Sequence, residues 1–189
     1  MCFRIESRAW LARTLSDLGA FAEGRRHVEE ALRLATLEGR GGTPIVAHTG
    51  LGLLYFAQGD LEHAIRVLEQ GLALCRASGN RNSLRPIAAG LGYAYALQGR
   101  LAEGRVLLEE GISESIRTGA LLGNAFRVAW LSEVCRRAGR SEEAGQRARQ
   151  ALDLARQLKE RGHEALALHQ LGAVHAHAAP PDIALALRS

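Results

Sequence analysis

The sequence predicts an all-α fold, a right-handed α-α superhelix of about four and a half helix-turn-helix repeats. Three observations predict it. Glycines recur at Gly19, Gly59, Gly99 and Gly139, a constant step of 40 residues. Leucines stand eight residues before each of these slots and before the fifth, held by Ala179, at Leu11, Leu51, Leu91, Leu131 and Leu171. Small residues recur seven before (Ala12, Gly52, Gly92, Ser132, Gly172), five after (Gly24, Ala64, Gly104, Ala144, Ala184) and twelve after (Ala31, Gly71, Gly111, Ala151). A fixed period of this length is the mark of stacked supersecondary units, each unable to bury its apolar face alone. Apolar spacings of three, four and seven flank every turn glycine, which makes the unit helix, tight turn, helix.

The elements follow in order. The repeats span residues 3–42, 43–82, 83–122 and 123–162, with a partial fifth at 163–189. In each, the glycine closes the first helix by taking the left-handed conformation. Asp60 and Ser141 read as N-caps of their second helices. Second helices are expected to run to Glu38, Ser78, Thr118 and Arg161, and first helices to open near Thr43-Pro44 and Ser83. Val28, Leu68, Leu108 and Ala148, nine after the glycines, give each second helix its buried position. Asp182 opens a last helix that stops after two turns, and Ile183, Leu185 and Leu187 read as an interrupted helix, not a polar cap. The chain is therefore expected to be a fragment of a longer protein.

The segments Leu51-Gly52-Leu53-Leu54-Tyr55 and Leu91-Gly92-Tyr93-Ala94-Tyr95, with the small residue twelve after each glycine, resemble the tetratricopeptide repeat. The resemblance covers nearly the whole chain. It departs in two ways: the period is 40 instead of the usual length of about 34 residues, and Thr36, Arg76, Ile116 and Arg156 stand where a closing proline is usual. Residues Leu152 to Arg156, Glu160 to Ala165, Leu171-Gly172 and Pro180-Pro181-Asp182 are similar to the closing repeats of large bacterial proteins. Those proteins join an AAA- or STAND-type ATPase, a class III cyclase or a transcriptional regulator to such an array. The resemblance implies a sensory or regulatory interaction arm, bacterial and signalling; none of these residues is catalytic in that family, and the resemblance implies nothing about chemistry within this chain.

Composition agrees with a globular chain: 47% hydrophobic and 23% charged residues, without the apolar run of about 20 that a membrane helix needs. The opening residues show no basic stretch followed by an apolar one, and three scattered cysteines make no disulfide framework, so a reducing cytoplasm is expected. The net charge is +4, and of 24 basic residues only Lys159 is lysine; the arginines are spread along the chain, which fits codon usage better than phosphate recognition.

Catalytic and cofactor motifs fail in turn. No Gly-Lys-Ser/Thr follows a strand, and Gly50-x-Gly52 and Gly90-x-Gly92 lack the third glycine of a dinucleotide fingerprint. His163-Glu164 lacks the second histidine of a zinc-protease helix, because position 167 is Ala167. His163, His169, His175 and His177 are spaced too widely round one helix to share a metal. Cys75 and Cys135 fall on apolar stripes and read as core. Glu29-Glu30, Glu109-Glu110 and Glu142-Glu143 point apart on their helices and read as solvated faces. The sequence thus predicts no catalytic, metal or cofactor site and no enzyme.

The resemblance implies that first helices line a concave groove, with positions two, six and ten before the glycine exposed in it. Those are Asp17, Arg13 and Ala9; Ala57, Leu53 and Thr49; Leu97, Tyr93 and Ala89; Arg137, Glu133 and Ala129; His177, Ala173 and His169. Phe56, Ala96 and Arg136 flank the same face. The predicted peptide-binding groove is therefore Leu53, Phe56, Tyr93 and Leu97, with Arg13, Glu133, Arg136 and Arg137 at its charged borders. It suits an amphipathic helix or an apolar peptide from a protein partner; the alternative is that these side chains only pack between repeats. A nucleic-acid-binding helical repeat is the rival function, disfavoured because the positions that would carry a base code hold Leu, Ala and Tyr. A homodimer through the terminal helices is expected, from Phe3, Trp10 and Leu11 at one end and Ile183, Leu185 and Leu187 at the other.

Overall fold

A computed structural model describes residues 3–38 and 42–177. Among them the chain forms nine α-helices and no strand: α1 (Phe3–Asp17), α2 (Phe21–Glu38), α3 (Thr43–Ala57), α4 (Leu61–Ser78), α5 (Arg81–Leu97), α6 (Leu101–Thr118), α7 (Asn124–Arg137), α8 (Ser141–Gln157) and α9 (Arg161–Ala176). They pair as four hairpins, with α9 opening a fifth. The segment holding Ile183, Leu185 and Leu187 lies outside the described residues.

The period seen in the sequence is a period of backbone geometry. Gly19, Gly59, Gly99 and Gly139 have φ of +76°, +78°, +88° and +74°, the left-handed region that costs glycine nothing. The residue after each glycine sends its N–H back to a carbonyl five residues earlier: Ala20 to Leu15, Asp60 to Tyr55, Arg100 to Tyr95 and Arg140 to Cys135. This paired closure satisfies the last carbonyls of the first helix and reverses the chain. The turns between hairpins do not repeat. Gly79 closes α4 and Gly119 closes α6, but Lys159, at φ 58°, closes α8. That left-handed residue ends α8 at Gln157, four residues short of the expected Arg161, and lets α9 start at Arg161.

Of the two expected caps, Asp60 and Ser141, one holds. Asp60 does accept the His63 N–H, at 3.2 Å. Ser141 is instead the first helical residue of α8, behind Arg140, whose side chain makes no capping bond. Ser83 is the donor and not the cap: its N–H goes to the Asn80 side chain at 3.2 Å, so α5 starts two residues earlier. Asparagine is as good a cap as serine, and the earlier of the two took the role.

Packing runs on the small residues. The first helices α1, α3, α5, α7 and α9 pack side by side; each second helix packs on its own hairpin partner and on the next first helix. The backbones of α4, α6 and α8 stay apart and are bridged by long ion pairs, Arg76–Glu110 at 2.9 Å and Arg105–Glu143 at 2.7 Å. Val28, Leu68, Leu108 and Ala148 are fully buried. Gly92 and Gly104 bring α5 and α6 into backbone contact: a Cβ on Gly92 would lie 2.6 Å from the Gly104 carbonyl oxygen. In the fourth hairpin Ser132 takes the place of Gly92 and donates to the Ala144 carbonyl across the crossing, at 2.7 Å. Leu11 departs from the leucine stripe, since among the described residues no helix covers that side of α1, and it stays exposed.

These two crossings separate two kinds of tight contact. At Gly52 an added Cβ would meet the Leu68 side chain; at Gly92 it meets backbone. Alanine brings a helix-propensity gain of about 1 kcal/mol at either site. Gly92→Ala is expected to lose roughly 1–3 kcal/mol by overpacking, and Gly52→Ala distinctly less. Urea melts of the two variants measure the difference, and equal losses would contradict this account of the crossings.

Candidate functional site

The concave face is lined by α1, α3, α5, α7 and the start of α9. Two cavities of about 250 Å³ and about 280 Å³ lie along it, and both are walled by Trp10, Arg13, Leu53 and Pro86. They form one continuous trough. The first cavity adds Glu6, Val46 and Arg85, among others; the second adds Leu122, Phe126, Arg127, Trp130 and His163. The superhelix curls tightly enough that Arg13 of the first hairpin lies 5.7 Å from the Phe126 ring of the fourth.

The lining obeys a simple register. Positions six, nine and thirteen before the turn glycine line the trough: Arg13 and Leu53; Trp10, Gly50 and Trp130; Glu6, Val46, Pro86 and Phe126. Steps of three and four residues alternate and keep one face, whereas repeated steps of four turn by about 40° each. The slot ten before the glycine therefore sits further back: Ala9, Thr49, Ala89 and Ala129 are all buried, although Ala9 and Thr49 still reach the wall of the first cavity. The slot nine before holds Trp10 and Trp130 in the outer hairpins and Gly50 and Gly90 in the middle ones. Large outer residues and absent inner ones open the space.

The predicted groove residues separate into three groups. Arg13 and Leu53 line the trough. Phe56 and Tyr93 join Trp130 in an aromatic cluster bridging three hairpins, with centroids 5.6 Å apart for Phe56–Tyr93, 5.9 Å for Phe56–Trp130 and 4.4 Å for the stacked Tyr93–Trp130 pair. Leu97, Arg136 and Arg137 line neither cavity. Ala96, expected to flank the groove, is buried. Glu133 is also buried, 9% exposed, and engaged: it accepts the Tyr93 phenol and the Arg137 guanidinium, the latter at 2.8 Å. Burial works to raise its carboxyl, but the Tyr93 and Arg137 hydrogen bonds outweigh it and hold Glu133 below the usual carboxylate range. The same burial and the Glu133 charge push the Tyr93 phenol far up.

Sequence reasoning missed Trp10, Pro86, Phe126, Arg127, Trp130 and His163. The signal was present: both tryptophans of the chain occupy the same repeat slot, nine before the glycine. Pro86 removes the N–H that would bond the Asn82 carbonyl, and Arg85 Nε donates to that carbonyl instead, at 3.4 Å. His163 lies 5.2 Å from Phe126 and pairs with Glu160 at 3.0 Å. His169 and His177 are exposed. Cys75 and Cys135 are buried, which pushes both thiols up. No helix among the described residues is long and apolar enough to cross a membrane.

Tetratricopeptide-repeat profiles match residues 5–77, 87–110 and 128–150. Together they take in both helices of every complete hairpin. The chain belongs to the tetratricopeptide-repeat family. Repeats of this family in general mediate protein–protein interaction and are not catalytic. No curated protein sequence matches the chain. Among solved structures, the array is similar to the nearly identical TPR-like repeats of a kinesin light chain from Podosopora anserina, with TM-score 0.70, 19% identity, and 100% of this chain and 93% of that one covered. It is similar to BtubC (BKLC) from P. vanneervenii, with TM-score 0.78, 18% identity and 97% and 76% covered. It is also similar to part of a STAND protein with a tetratricopeptide-repeat sensor from Pyrococcus horikoshii, with TM-score 0.68, 12% identity, and 92% of this chain but 27% of that one covered. At these identities the likeness shows the fold.

The Tyr93–Glu133 bond joins the third and fourth hairpins of this tetratricopeptide array across the floor of the aromatic cluster. Tyr93→Phe keeps the ring stack and removes one donor from a buried carboxylate. A loss of about 1.5–3 kcal/mol is expected, as for hydrogen bonds to charged groups. Chemical denaturation measures it, and a loss within experimental scatter would show that the bond adds nothing to the joint.

Proposed function

We propose that this array is a non-catalytic interaction module whose concave trough holds a segment of a partner protein. The observation that carries the reading is the continuity of the trough: Trp10, Leu53 and Pro86 wall both cavities, and Phe126 and Trp130 extend the same apolar surface. Apolar and aromatic walls with arginines between them suit an amphipathic helix or an extended apolar peptide, which contributes side chains to the cavities and leaves its polar face outward. The Phe56–Tyr93–Trp130 cluster fixes the spacing of the middle hairpins, so the trough is preformed. A nucleic-acid strand is disfavoured, because it needs cations spaced along the whole track, together with stacking platforms.

The likeness to the sensor region of a STAND protein supports a further proposal. The array would serve as a sensory or regulatory arm of a larger bacterial signalling protein working in the cytoplasm. In such an arm the bound segment is the signal.

Peptides selected from a random library against the intact chain test the trough directly. Leu53→Glu is expected to weaken selected peptides by on the order of tenfold or more, the worth of one desolvated apolar anchor. Val106→Glu, on the exposed side of α6, is the control and is expected to change nothing. Peptides that depend on Val106 and ignore Leu53 would place the binding surface elsewhere.

Self-association has an observation of its own. Phe3, Trp10 and Leu11 are exposed on α1 within about 100° of arc, Phe3 to 82%, and Leu18, in the turn just after the helix, is exposed to 76%. Such a face suits burial against a second copy, with two-fold symmetry the usual outcome. Sedimentation equilibrium at high micromolar concentration is expected to show a dimer that Leu18→Glu weakens by about tenfold. A monomer at every concentration overturns this reading.

A further inference from the structure

The first helix of the fourth hairpin starts late. α5 begins at Arg81 and α9 at Arg161, the same place in the 40-residue period, but α7 begins at Asn124, three residues after the equivalent Leu121. Leu121, Leu122 and Gly123 stand where a first helical turn would be and instead lengthen the connection from α6. That connection has five residues, against two between α4 and α5 and three between α8 and α9. Left-handed glycines stand at both of its ends, Gly119 at φ +69° and Gly123 at φ +70°. The two shorter connections have one left-handed residue each, Gly79 and Lys159.

Leu122, between the two glycines, lines the second cavity with Trp10, Leu53, Pro86 and Phe126, yet it is 75% exposed. An apolar side chain at the edge of a cavity that it does not fill gains by moving onto whatever does. The loop is tied to its surroundings through charged side chains. Arg85 Nη1 donates to the Ala120 carbonyl at 3.0 Å, and Glu160 Oε1 accepts the Gly123 N–H at 2.8 Å. Arg127 Nη1 makes a long bond of 3.5 Å to the Leu122 carbonyl. Separate side-chain bonds of this kind can break one at a time, whereas the bonds of a helix form and break cooperatively.

We infer that residues 119–123 are a lid on the trough: pivoting at Gly119 and Gly123, the loop carries Leu122 from solvent onto the apolar contents of the second cavity, and Arg85 is the latch that holds it open. This rests on the reading that the trough holds a partner segment and adds how that segment is retained. Each glycine can leave the left-handed region with no side chain to obstruct the change, which is what a hinge needs. Nothing stands within 4 Å of where a Cβ on Gly119 would lie, so that pivot turns in open space. The floor beneath the lid is held separately, by the stacked Tyr93–Trp130 pair and Phe56.

Lids open and close in microseconds to milliseconds. Amide-nitrogen relaxation dispersion on the intact chain reads that exchange with no ligand present. Indole, a flat apolar molecule suited to walls of Leu53, Pro86 and Phe126, is the probe for the filled trough. Dispersion is expected at Ala120, Leu121, Leu122 and Gly123 and not in the buried stretch Leu131 to Cys135 of α7. Indole at millimolar concentration is expected to shift the Trp130 signals and to suppress the dispersion, by drawing the loop into its closed form. Arg85→Met is expected to raise the closed population severalfold and to tighten indole by a similar factor. A residue that only walls the cavity would leave the exchange unchanged. Gly119→Ala is expected to remove the dispersion while the chain stays folded by circular dichroism, and it carries the test if Arg85→Met does not fold. Flat dispersion across the loop of the parent chain overturns the lid. Indole that shifts Trp130 and leaves the dispersion as it was also overturns it, with the trough still standing as a binding surface. No response to indole in either signal overturns the inference, and the library selection judges the trough separately.

Discussion

The close approach of helix backbones at small residues is the constraint on which this molecule depends. Gly92 and Gly104 put α5 against α6 with no side chain between them, and Ser132 reaches the Ala144 carbonyl at the equivalent crossing. Between first helices, Gly50 has the Ala9 side chain within 3.1 Å of where its own Cβ would stand. Each hairpin therefore sits close to the next on its inner side. On the outer side the backbones of the second helices stay apart, and arginine–glutamate pairs span the gaps. A stack that is tight inside and wide outside must curve. The curvature brings Arg13 over Phe126, and the trough is its consequence.

Side-chain volume completes what backbone spacing begins. The slot nine before the turn glycine is tryptophan in the outer hairpins and glycine in the middle ones, so the trough is deep at its centre and walled at its ends. Phe56, Tyr93 and Trp130 close its neighbourhood as a stacked cluster. Their rings meet at separations where aromatic pairs add stability beyond simple burial. Glu133 is consumed in holding that cluster, through Tyr93 and Arg137, and is not free to meet a ligand.

Charge is arranged to the same plan. Of the ion pairs that bridge α4, α6 and α8, Arg76–Glu110 is the more exposed, and such exposed pairs contribute at most about 1 kcal/mol each. In the trough, Arg127 is desolvated beside the Phe126 ring.

The sequence by itself determined the repeat. The 40-residue step, the turn glycines, the small residues at the crossings and the fully buried nine-after slot all follow from local rules of helix period and glycine geometry, and each can be read within one repeat. Helix boundaries were less legible where competing caps lie a few residues apart, as at Asn80 and Ser83. They were also hidden where a lysine took a conformation that glycine usually takes, as at Lys159. The site was legible in part: Leu53 and Arg13 follow from the register, but Leu97 and Arg137 do not reach the trough. Trp10, Phe126 and Arg127 lie in different hairpins, and nothing in the chain's order says that the first hairpin faces the fourth. Only the tertiary structure decided that. Curvature is the sum of small rotations at every helix crossing, so the partners a groove residue meets are fixed by the whole stack and not by its own repeat.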